Sequence, residues 1–212
     1  FSGDPAHTVT TAYDELGRVQ SVTNQLGQTT DYAYDHLGRK VQEILPYPHG
    51  PAAGEPRPVT HYGYDVGGNL QFVTDALGAA VLDPAHTTWY VYDALGRRTH
   101  VIDALDADPA PGTEPYDGRG NLTFVPAHPT VTVYDALGQV TSVTDPEQNS
   151  TTYAYDALGR KISETNQLGQ TRAFGYDAAG ELTRLTDRDG RVTEYVYDPL
   201  GRQVEERWLD AG

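Results

Sequence analysis

The sequence predicts an all-β protein made of tandem antiparallel β-hairpin repeats of about 21 residues, which form a curved or spiralling single-layer β-strip. Three observations support this prediction. A Tyr-Asp-x-x-Gly frame recurs along the chain, and a second type of turn lies about halfway between successive frames. In addition, the 22 Gly and 14 Pro interrupt the chain every few residues, so that no stretch places apolar residues at helical spacing over a dozen positions.

The frame defines the repeat, and its residue types are those of a hairpin turn. Asp at the first corner accepts hydrogen bonds from nearby backbone N–H groups, and Gly supplies the positive φ that leads into the next strand. We therefore expect the Tyr, Asp and Gly of each frame to have structural roles. These residues are Tyr13, Asp14, Gly17, Tyr34, Asp35, Gly38, Tyr64, Asp65, Gly68, Tyr92, Asp93, Gly96, Tyr116, Asp117, Gly120, Tyr134, Asp135, Gly138, Tyr155, Asp156, Gly159, Tyr176, Asp177, Gly180, Tyr197, Asp198 and Gly201.

The second turn has the form Thr-Asp/Asn-x-x-Gly, as in Thr23-Asn24 to Gly27 and Thr186-Asp187 to Gly190. Two turns in about 21 residues leave about six residues for each strand, which is the usual strand length. Each repeat is therefore predicted to be one antiparallel hairpin. The segment at 23–29 recurs letter for letter at 165–171, which indicates duplication of hairpin blocks.

The tyrosines occur in pairs two residues apart, such as Tyr32 with Tyr34 and Tyr153 with Tyr155. Residues two apart on a strand share one face of the sheet, so the pairs predict an aromatic ladder with a packing role. For the Arg that often follows the frame Gly, two roles stay open. It pairs with the frame Asp across the turn, or it stacks on a neighbouring Tyr.

We expect one repeat array over residues 1–212, with regular repeats at 8–44 and 131–207. Proline-rich stretches predict longer loops near 45–59 and 101–130. The chain begins at Phe1 and contains no Met, which indicates a processed piece or an internal segment of a longer protein. We therefore expect neighbouring repeats of a larger parent chain among its partners.

The charge balance limits the range of partners. The chain has 30 Asp and Glu against 15 Lys and Arg, whereas phosphate binding requires a basic face, so nucleic acid is not an expected partner. No apolar run is long enough to span a bilayer, and no Cys is present to form disulfides or thiolate metal sites.

We expect no catalytic, cofactor-binding or metal site within these residues. His7, His86 and His128 occupy equivalent positions, but on a β-strip they would be about 19 Å or more apart, too far to share one ion. The acidic stretches Asp187-Arg188-Asp189-Gly190 and 103–108 are candidates for calcium, although turn capping explains them better. No nucleophile elbow, phosphate loop or His-Glu-x-x-His motif is present, so we expect no enzyme activity.

The string Tyr-Asp-Ala-Leu-Gly-Arg stands at 92–97 and 155–160, with close variants at 13–18 and 197–202. The sequence thereby resembles the Rhs or YD repeat family from about Thr8 to Arg207. The resemblance implies a segment of a β-shell that, in bacterial Rhs proteins and in the C components of insecticidal toxin complexes, encloses a toxin. In teneurins, a similar barrel serves cell adhesion, and the family is also described as carbohydrate-binding.

This resemblance implies a secreted or surface-displayed bacterial protein, with an enclosed toxin domain or surface glycans as alternative partners. Full shells end in a self-cleaving core of the Asp-Pro-x-Gly-Leu type. The stretch Asp198-Pro199-Leu200-Gly201-Arg202 only echoes that core, so we interpret it as an ordinary repeat turn and assign no protease residues.

Overall fold

The computed structural model of the chain describes residues 8–47, 56–78, 81–104 and 128–209. The chain divides into two compact units, Phe1–Ala127 and His128–Gly212. In both units, short antiparallel strands alternate with tight turns. After most strands, which are about five or six residues long, an Asp or Asn with a Gly three positions later closes a hairpin turn. The frame at Tyr116, Asp117 and Gly120 lies outside the described residues.

In the first unit, each strand pairs antiparallel with the next along the chain. The strands are β1 (Thr10–Tyr13), β2 (Val19–Thr23), β3 (Thr29–Tyr34), β4 (Lys40–Ile44), β5 (Val59–Tyr64), β6 (Leu70–Thr74), β7 (Thr87–Tyr92) and β8 (Arg98–Ile102), and a single turn of 3-10 helix, Pro84–His86, precedes β7.

The second unit repeats this arrangement, again with each strand paired to its sequence neighbour. Its strands are β9 (Thr130–Tyr134), β10 (Val140–Thr144), β11 (Ser150–Tyr155), β12 (Lys161–Thr165), β13 (Thr171–Tyr176), β14 (Leu182–Thr186), β15 (Val192–Tyr197) and β16 (Gln203–Leu209). The predicted all-β array of antiparallel hairpins is therefore confirmed. The prediction that a single array extends over residues 1–212 stays a prediction.

Register changes at the frame tyrosine. In the first hairpin, Ala12 pairs with Ser21 but Tyr13 pairs with Val19, so one residue bulges out where the chain leaves the turn. The same shift occurs between Ala33 and Tyr34 and in the later frame hairpins. Such a bulge increases the local twist of a hairpin. The frame thus sets the geometry of the strand pair as well as the turn.

Among the described residues, full burial is confined to one small cluster in the first unit. Trp89 and Ile102 are 2% and 0% exposed, and the Phe72 ring lies 5.2 Å from the Trp89 ring. Phe72 also lies over Gly63, where an added Cβ would come within 1.9 Å of the ring. The rest of each sheet is held mainly by strand pairing and by half-buried side chains.

Residues 81–86 form an insertion against this cluster. The Leu82 N–H donates to Thr74 Oγ1 at 3.1 Å, the Thr74 and Thr87 hydroxyls lie 2.7 Å apart, and Thr87 Oγ1 donates to the Asp83 carbonyl at 2.7 Å. The threonine hydroxyls are fully buried and hydrogen-bonded, which avoids the cost of burying an unpaired polar group. This segment has no counterpart in the repeat pattern from which the hairpins are predicted. The spacing of 28 residues from Tyr64 to Tyr92, in place of the usual 21, is the sequence feature that indicates an insertion here.

Arg57, just before β5, bonds to the end of β4 and to β3. The Nε of Arg57 donates to the Leu45 carbonyl at 2.9 Å, and its Nη2 donates to the carbonyls of Ile44 at 2.8 Å and Thr29 at 2.5 Å. Its Nη1 also pairs with Asp31. Arg57 therefore connects the end of the loop to β3 and β4. Residues 48–55 of the predicted loop, like 105–127 of the second one, lie outside the described part.

Candidate functional site in the repeat turns and aromatic face

The frame aspartate organises each turn through both its backbone and its side chain. In the first frame, the Asp14 N–H donates to the Arg18 carbonyl at 2.9 Å, and the Gly17 N–H donates to the Asp14 carbonyl at 3.0 Å. Asp14 Oδ1 also accepts the N–H groups of Leu16 and Arg18, each at 2.9 Å. The corresponding bonds recur at Asp35, Asp93, Asp135, Asp156 and Asp198.

The frame glycine adopts the left-handed backbone region. Gly17 has φ +77°, and the Gly of every other described frame is likewise at positive φ. The degenerate second turn at Asp145 places Gln148 in this position at φ 66°, where its N–H still donates to the Asp145 carbonyl at 3.0 Å. The turn geometry is therefore kept even where the preferred residue is missing.

An ion pair closes each frame that has Arg after Gly. Arg18 Nε lies 2.7 Å from Asp14 Oδ2, and the distance is also 2.7 Å in four other frames. The backbone N–H of Arg18, the Arg18 side chain and the Leu16 N–H bond to the carboxylate, and together they lower the pKa of Asp14 below its ordinary value. The backbone bond from Arg160 likewise has the largest effect in lowering the pKa of Asp156.

The same arginine contacts the next hairpin. The Arg18 guanidinium carbon lies 4.6 Å from the centre of the Tyr34 ring, and Arg39 lies 4.5 Å from Tyr64. Arg160 lies 4.8 Å from the Tyr176 ring and donates to the Asp177 carbonyl at 2.9 Å. Asp pairing and Tyr stacking, which the sequence left as alternatives, therefore occur together on one side chain.

The frame tyrosines also bond to the preceding hairpin. The Tyr34 hydroxyl donates to the Val19 carbonyl at 2.8 Å, which lies at the exit of the previous frame turn. The equivalent bonds run from Tyr64 to Lys40, Tyr92 to Leu70, Tyr155 to Val140, Tyr176 to Lys161 and Tyr197 to Leu182, at 2.8–3.0 Å. Tyr13 differs from them, since it is 61% exposed on the first strand.

The two lysines of the sequence occupy equivalent positions on the tyrosine face, a feature that the sequence analysis missed. Lys40 Nζ lies 4.4 Å from the Tyr62 ring, 5.7 Å from the Tyr32 ring and 2.7 Å from Glu43 Oε2. Burial acts to lower the pKa of Lys40, but the bonds to Glu43 and Tyr62 outweigh it and raise that pKa. Both lysines lie in a Gly-Arg-Lys-x-x-Glu pattern, at 38–43 and 159–164. This shared pattern is the sequence feature that could have identified the two sites.

Lys161 repeats this arrangement in the second unit. Its Nζ lies 5.3 Å from the Tyr153 ring, 5.1 Å from the Phe174 ring and 2.9 Å from Glu164 Oε2. The hydrogen bond from Lys161 is the largest influence on Glu164 and lowers the pKa of that carboxyl group. Each unit therefore has one lysine between two aromatic rings, with its charge balanced by a glutamate.

The candidate metal ligands do not converge where the structure describes them. His86 pairs with Asp75 at 3.1 Å, and His7 lies outside the described residues. Asp187 and Asp189 both bond to Arg191. Within the described ranges, no group of three or more His, Asp or Glu side chains could hold a metal ion.

Two histidines that the sequence analysis did not select have shifted pKa values. Burial lowers the pKa of both His61, on β5, and His100, on β8, below the ordinary value of a histidine. His61 Nδ1 lies 3.5 Å from Gln42 Nε2, and His100 Nδ1 lies 3.0 Å from the Thr99 hydroxyl. Both histidines therefore have polar neighbours while their charged forms are disfavoured.

The frame residues are distributed at one set per hairpin, and their polar groups bond to their own turn or to the adjacent hairpin. Asp198, in the stretch that echoes a self-cleavage sequence, makes the same bonds to Leu200 and Arg202 as the other frame aspartates. In the described part of the chain, no helix has the length and apolar character needed to cross a bilayer.

Comparison with known proteins identifies similar repeats and a similar fold. The family model described as RHS Repeat matches residues 13–47, 134–171, 159–191 and 176–207. Nothing among the curated proteins matches the sequence.

Three solved structures match this chain, and the first of them supports a similar fold. A crystal structure of TcdB2-TccC3-TEV has a TM-score of 0.66 and 16% identity, with 94% of this chain and 10% of that chain covered. A crystal structure of TcdB2-TccC3 has a TM-score of 0.36, 15% identity and coverages of 97% and 17%. The Tc holotoxin pore of Photorhabdus luminescens has a TM-score of 0.34, 15% identity and coverages of 96% and 16%. This chain thus spans a tenth of the length of the first solved chain, and the likeness concerns the fold.

Proposed function

Because the chain belongs to the RHS repeat family, we propose that it is a structural section of a β-sheet shell or scaffold that encloses or presents a toxin or effector. In this proposal, the parent protein is bacterial and is either secreted or displayed at the cell surface. In this role the section forms part of the wall of the shell, and any catalytic activity belongs to other parts of the parent protein.

The main support is the bonding between successive hairpins. Each frame tyrosine that donates to the turn exit of the preceding hairpin connects two repeats. Arg18, Arg39 and Arg160 stack on the frame tyrosine of the next frame along the chain. In repeat proteins, nearest-neighbour contacts of this kind supply much of the stability, because each repeat cannot bury enough surface by itself. Side chains used in this way stiffen the sheet, as a wall requires.

The distribution of polar groups also agrees with a wall. A catalytic site brings a nucleophile, a base and a stabilising group together at one place. Here the most regular polar groups, the frame Asp and Arg, pair with each other at 2.7 Å in one turn after another. No catalytic step is therefore assigned to this section.

The first partners in this proposal are inferred from the share of a longer chain that this chain covers. The chain spans a tenth of the TcdB2-TccC3-TEV chain that it resembles in fold, so neighbouring repeats of a longer chain are the first partners. An enclosed toxin or effector is the second. Both belong to the proposal, since the likeness at 16% identity concerns the fold.

Limited proteolysis of the natural full-length protein tests the proposal. The shell hypothesis predicts that one region of the parent chain is protected from protease in the native protein. The same region is cleaved when the protein is unfolded. The double variant Tyr34→Phe with Tyr176→Phe removes two bonds between hairpins and should expose that region to protease. Tyr13→Phe, at an exposed tyrosine, is the control and should leave protection unchanged. If the native protein protects no region, the shell role is wrong.

A second candidate is a module that binds carbohydrate or protein, in which case the parent protein would act in adhesion. The observation in its favour is an exposed aromatic side chain, Trp208, which is 81% exposed on β16. Exposed aromatic rings with polar edges are common at recognition surfaces. A glycan array with the purified chain, compared with Trp208→Ala, distinguishes the candidates, because a wall segment should give no saturable binding.

A further inference from the structure

The two lysine sites are equivalent by sequence position but differ in charge. The first site is balanced, with the Glu43 carboxylate bonded to Lys40 at 2.7 Å and to the Tyr62 hydroxyl at 3.1 Å. In the second site, Phe174 replaces Tyr62 and has no hydroxyl to offer Glu164. Arg188 Nη2 instead bonds to Glu164 Oε1 at 2.5 Å.

A second arginine adds to this difference. Arg172 is the cross-strand partner of Glu164 on the same face of the sheet and contributes to lowering the pKa of that carboxyl group. The positions equivalent to Arg172 and Arg188 in the first unit are Thr60, which pairs with Glu43, and Ala76. The second site therefore has two more positive charges than its counterpart.

Other carboxylates nearby do not remove this excess. Asp187 and Asp189, on either side of Arg188, both bond to Arg191, at 2.7 Å and 2.5 Å. Asp187, Asp189 and Arg191 are counted together with Lys161, Glu164, Arg172 and Arg188. Four positive charges then stand against three negative charges, so the cluster is still positive. The whole chain, in contrast, has a formal net charge of −15.

The hydrogen-bonding capacity of the two arginines is also incompletely used. The Nε atoms of Arg172 and Arg188 are buried and lack a hydrogen-bond partner among the described residues. Within the same ranges, the Arg172 side chain has no hydrogen-bond partner. Arg172 as a whole residue is only half-buried, although its Nε is buried.

We propose that Arg172 and Arg188, next to Glu164 and the Phe174 ring, form a binding site for an oxyanion, meaning a ligand with a carboxylate or sulfate group. The planar guanidinium matches the geometry of such groups and donates two parallel N–H···O bonds. The neighbouring Phe174 ring gives the non-charged part of the ligand an apolar surface. This site does not depend on the proposed shell role.

NMR titration of the purified chain tests the site directly. The N–H signals of the Arg172 and Arg188 Nε groups are followed while sodium sulfate or sodium acetate replaces sodium chloride at constant ionic strength. Saturable shifts of both signals with sulfate or acetate, and none with chloride alone, are expected. Unsaturated shifts, or equal shifts in chloride, would overturn the proposal, and the sulfate and acetate arms distinguish the two oxyanions.

Matched variants provide the control. Arg172→Gln and Arg188→Gln should each weaken binding about tenfold, as loss of one charge-assisted hydrogen bond does. Arg184→Gln, at an exposed arginine on the opposite face, should leave it unchanged. The variant Thr60→Arg with Ala76→Arg and Tyr62→Phe should give the first unit a comparable site. If the Arg172 variant binds as well as the original chain while its backbone spectrum stays native, the assignment of the site is wrong.

Discussion

The hydroxyl of Tyr34 donates to the backbone carbonyl of Val19 at 2.8 Å and thereby connects β3 to the turn exit of the preceding hairpin. The same relationship holds between Tyr176 and Lys161 at 3.0 Å in the second unit. Arg18 and Arg160 cover the faces of these two tyrosine rings. Each tyrosine is therefore fixed by its hydroxyl and by its ring.

Tyr34→Phe should destabilise the chain by about 0.5–1.5 kcal/mol, the usual net value of one hydrogen bond, because the Val19 carbonyl loses its donor while the ring contact stays. Urea unfolding measures the change. Tyr13→Phe serves as the control, because Tyr13 is exposed, and it should stay within about 0.5 kcal/mol of the original chain. Equal effects of the two substitutions would show that the hydroxyl bond contributes no stability.

The left-handed turn position gives predictions of opposite sign at Gly17 and Gln148. Gly17→Ala should cost about 1–2 kcal/mol, because φ is +77° there and no atom lies near enough to the added Cβ for a clash to contribute. Gln148→Gly should stabilise the chain by up to about 1 kcal/mol, because it relieves a non-glycine residue at φ 66°. Thermal unfolding of both variants checks the signs, and a loss of stability in Gln148→Gly would contradict the prediction.

The small buried cluster of the first unit predicts a localised core. Ile102→Ala should cost about 2–5 kcal/mol, because Ile102 is 0% exposed and the substitution leaves a cavity against Trp89. Ile162→Ala, at a residue that is 38% exposed, is the matched control and should cost clearly less. Urea unfolding monitored by tryptophan fluorescence measures both. Similar losses for the two substitutions would show that Ile102 has no special place in the packing.

Acid should weaken the turns. The pKa of Asp156 is lowered in the folded chain, mainly by the backbone N–H of Arg160, so the unfolded state binds its proton more readily. This contribution to stability is present above the ordinary pKa of 3.8 and is lost as the pH falls through the lower folded pKa. Denaturant midpoints of the original chain should fall steeply as the pH is lowered from 5 to 2. In Asp156→Asn they should fall more gently. An unchanged slope in that variant would argue against the role of this carboxylate.

The half-buried His100 affects stability in a higher pH range. Burial lowers the pKa of His100 below its ordinary value of 6.5, so the unfolded chain binds a proton first as the pH falls. Stability should therefore begin to decrease as the pH drops through about 6.5 and should level off below the folded pKa. His100→Gln should remove part of this slope when denaturant midpoints are compared between pH 8 and 5. Identical slopes in the two proteins would contradict the prediction.

Contacts between residues close together in the chain could be predicted from the sequence. The bonds of Asp14 to Leu16 and Arg18 connect residues two and four apart, so the pattern of residue types specifies them. The aromatic pairs followed from strand alternation in the same way. The pattern also offered both roles of the frame Arg, although only the structure shows that one guanidinium fulfils them together.

Contacts between Arg57 or Arg188 and distant residues could not be predicted from the repeat pattern. Arg57 lies in a proline-rich loop without a periodic pattern, yet it bonds to Asp31 and Thr29 on an earlier strand. Arg188 looked like part of an acidic turn, and its partner is Glu164, two strands away. These pairings depend on which strands lie side by side and on how far a long side chain reaches across them.

The sequence by itself determined the repeat, the hairpin turns and the family, because a local rule repeated along the chain is enough to specify them. The tertiary structure decided where charge is balanced and where it is left over, as the comparison of Glu43 with Glu164 demonstrates. It also decided which insertion packs over Trp89. Both outcomes depend on distances between side chains far apart in sequence, which strand pairing and register fix only once the sheet has formed.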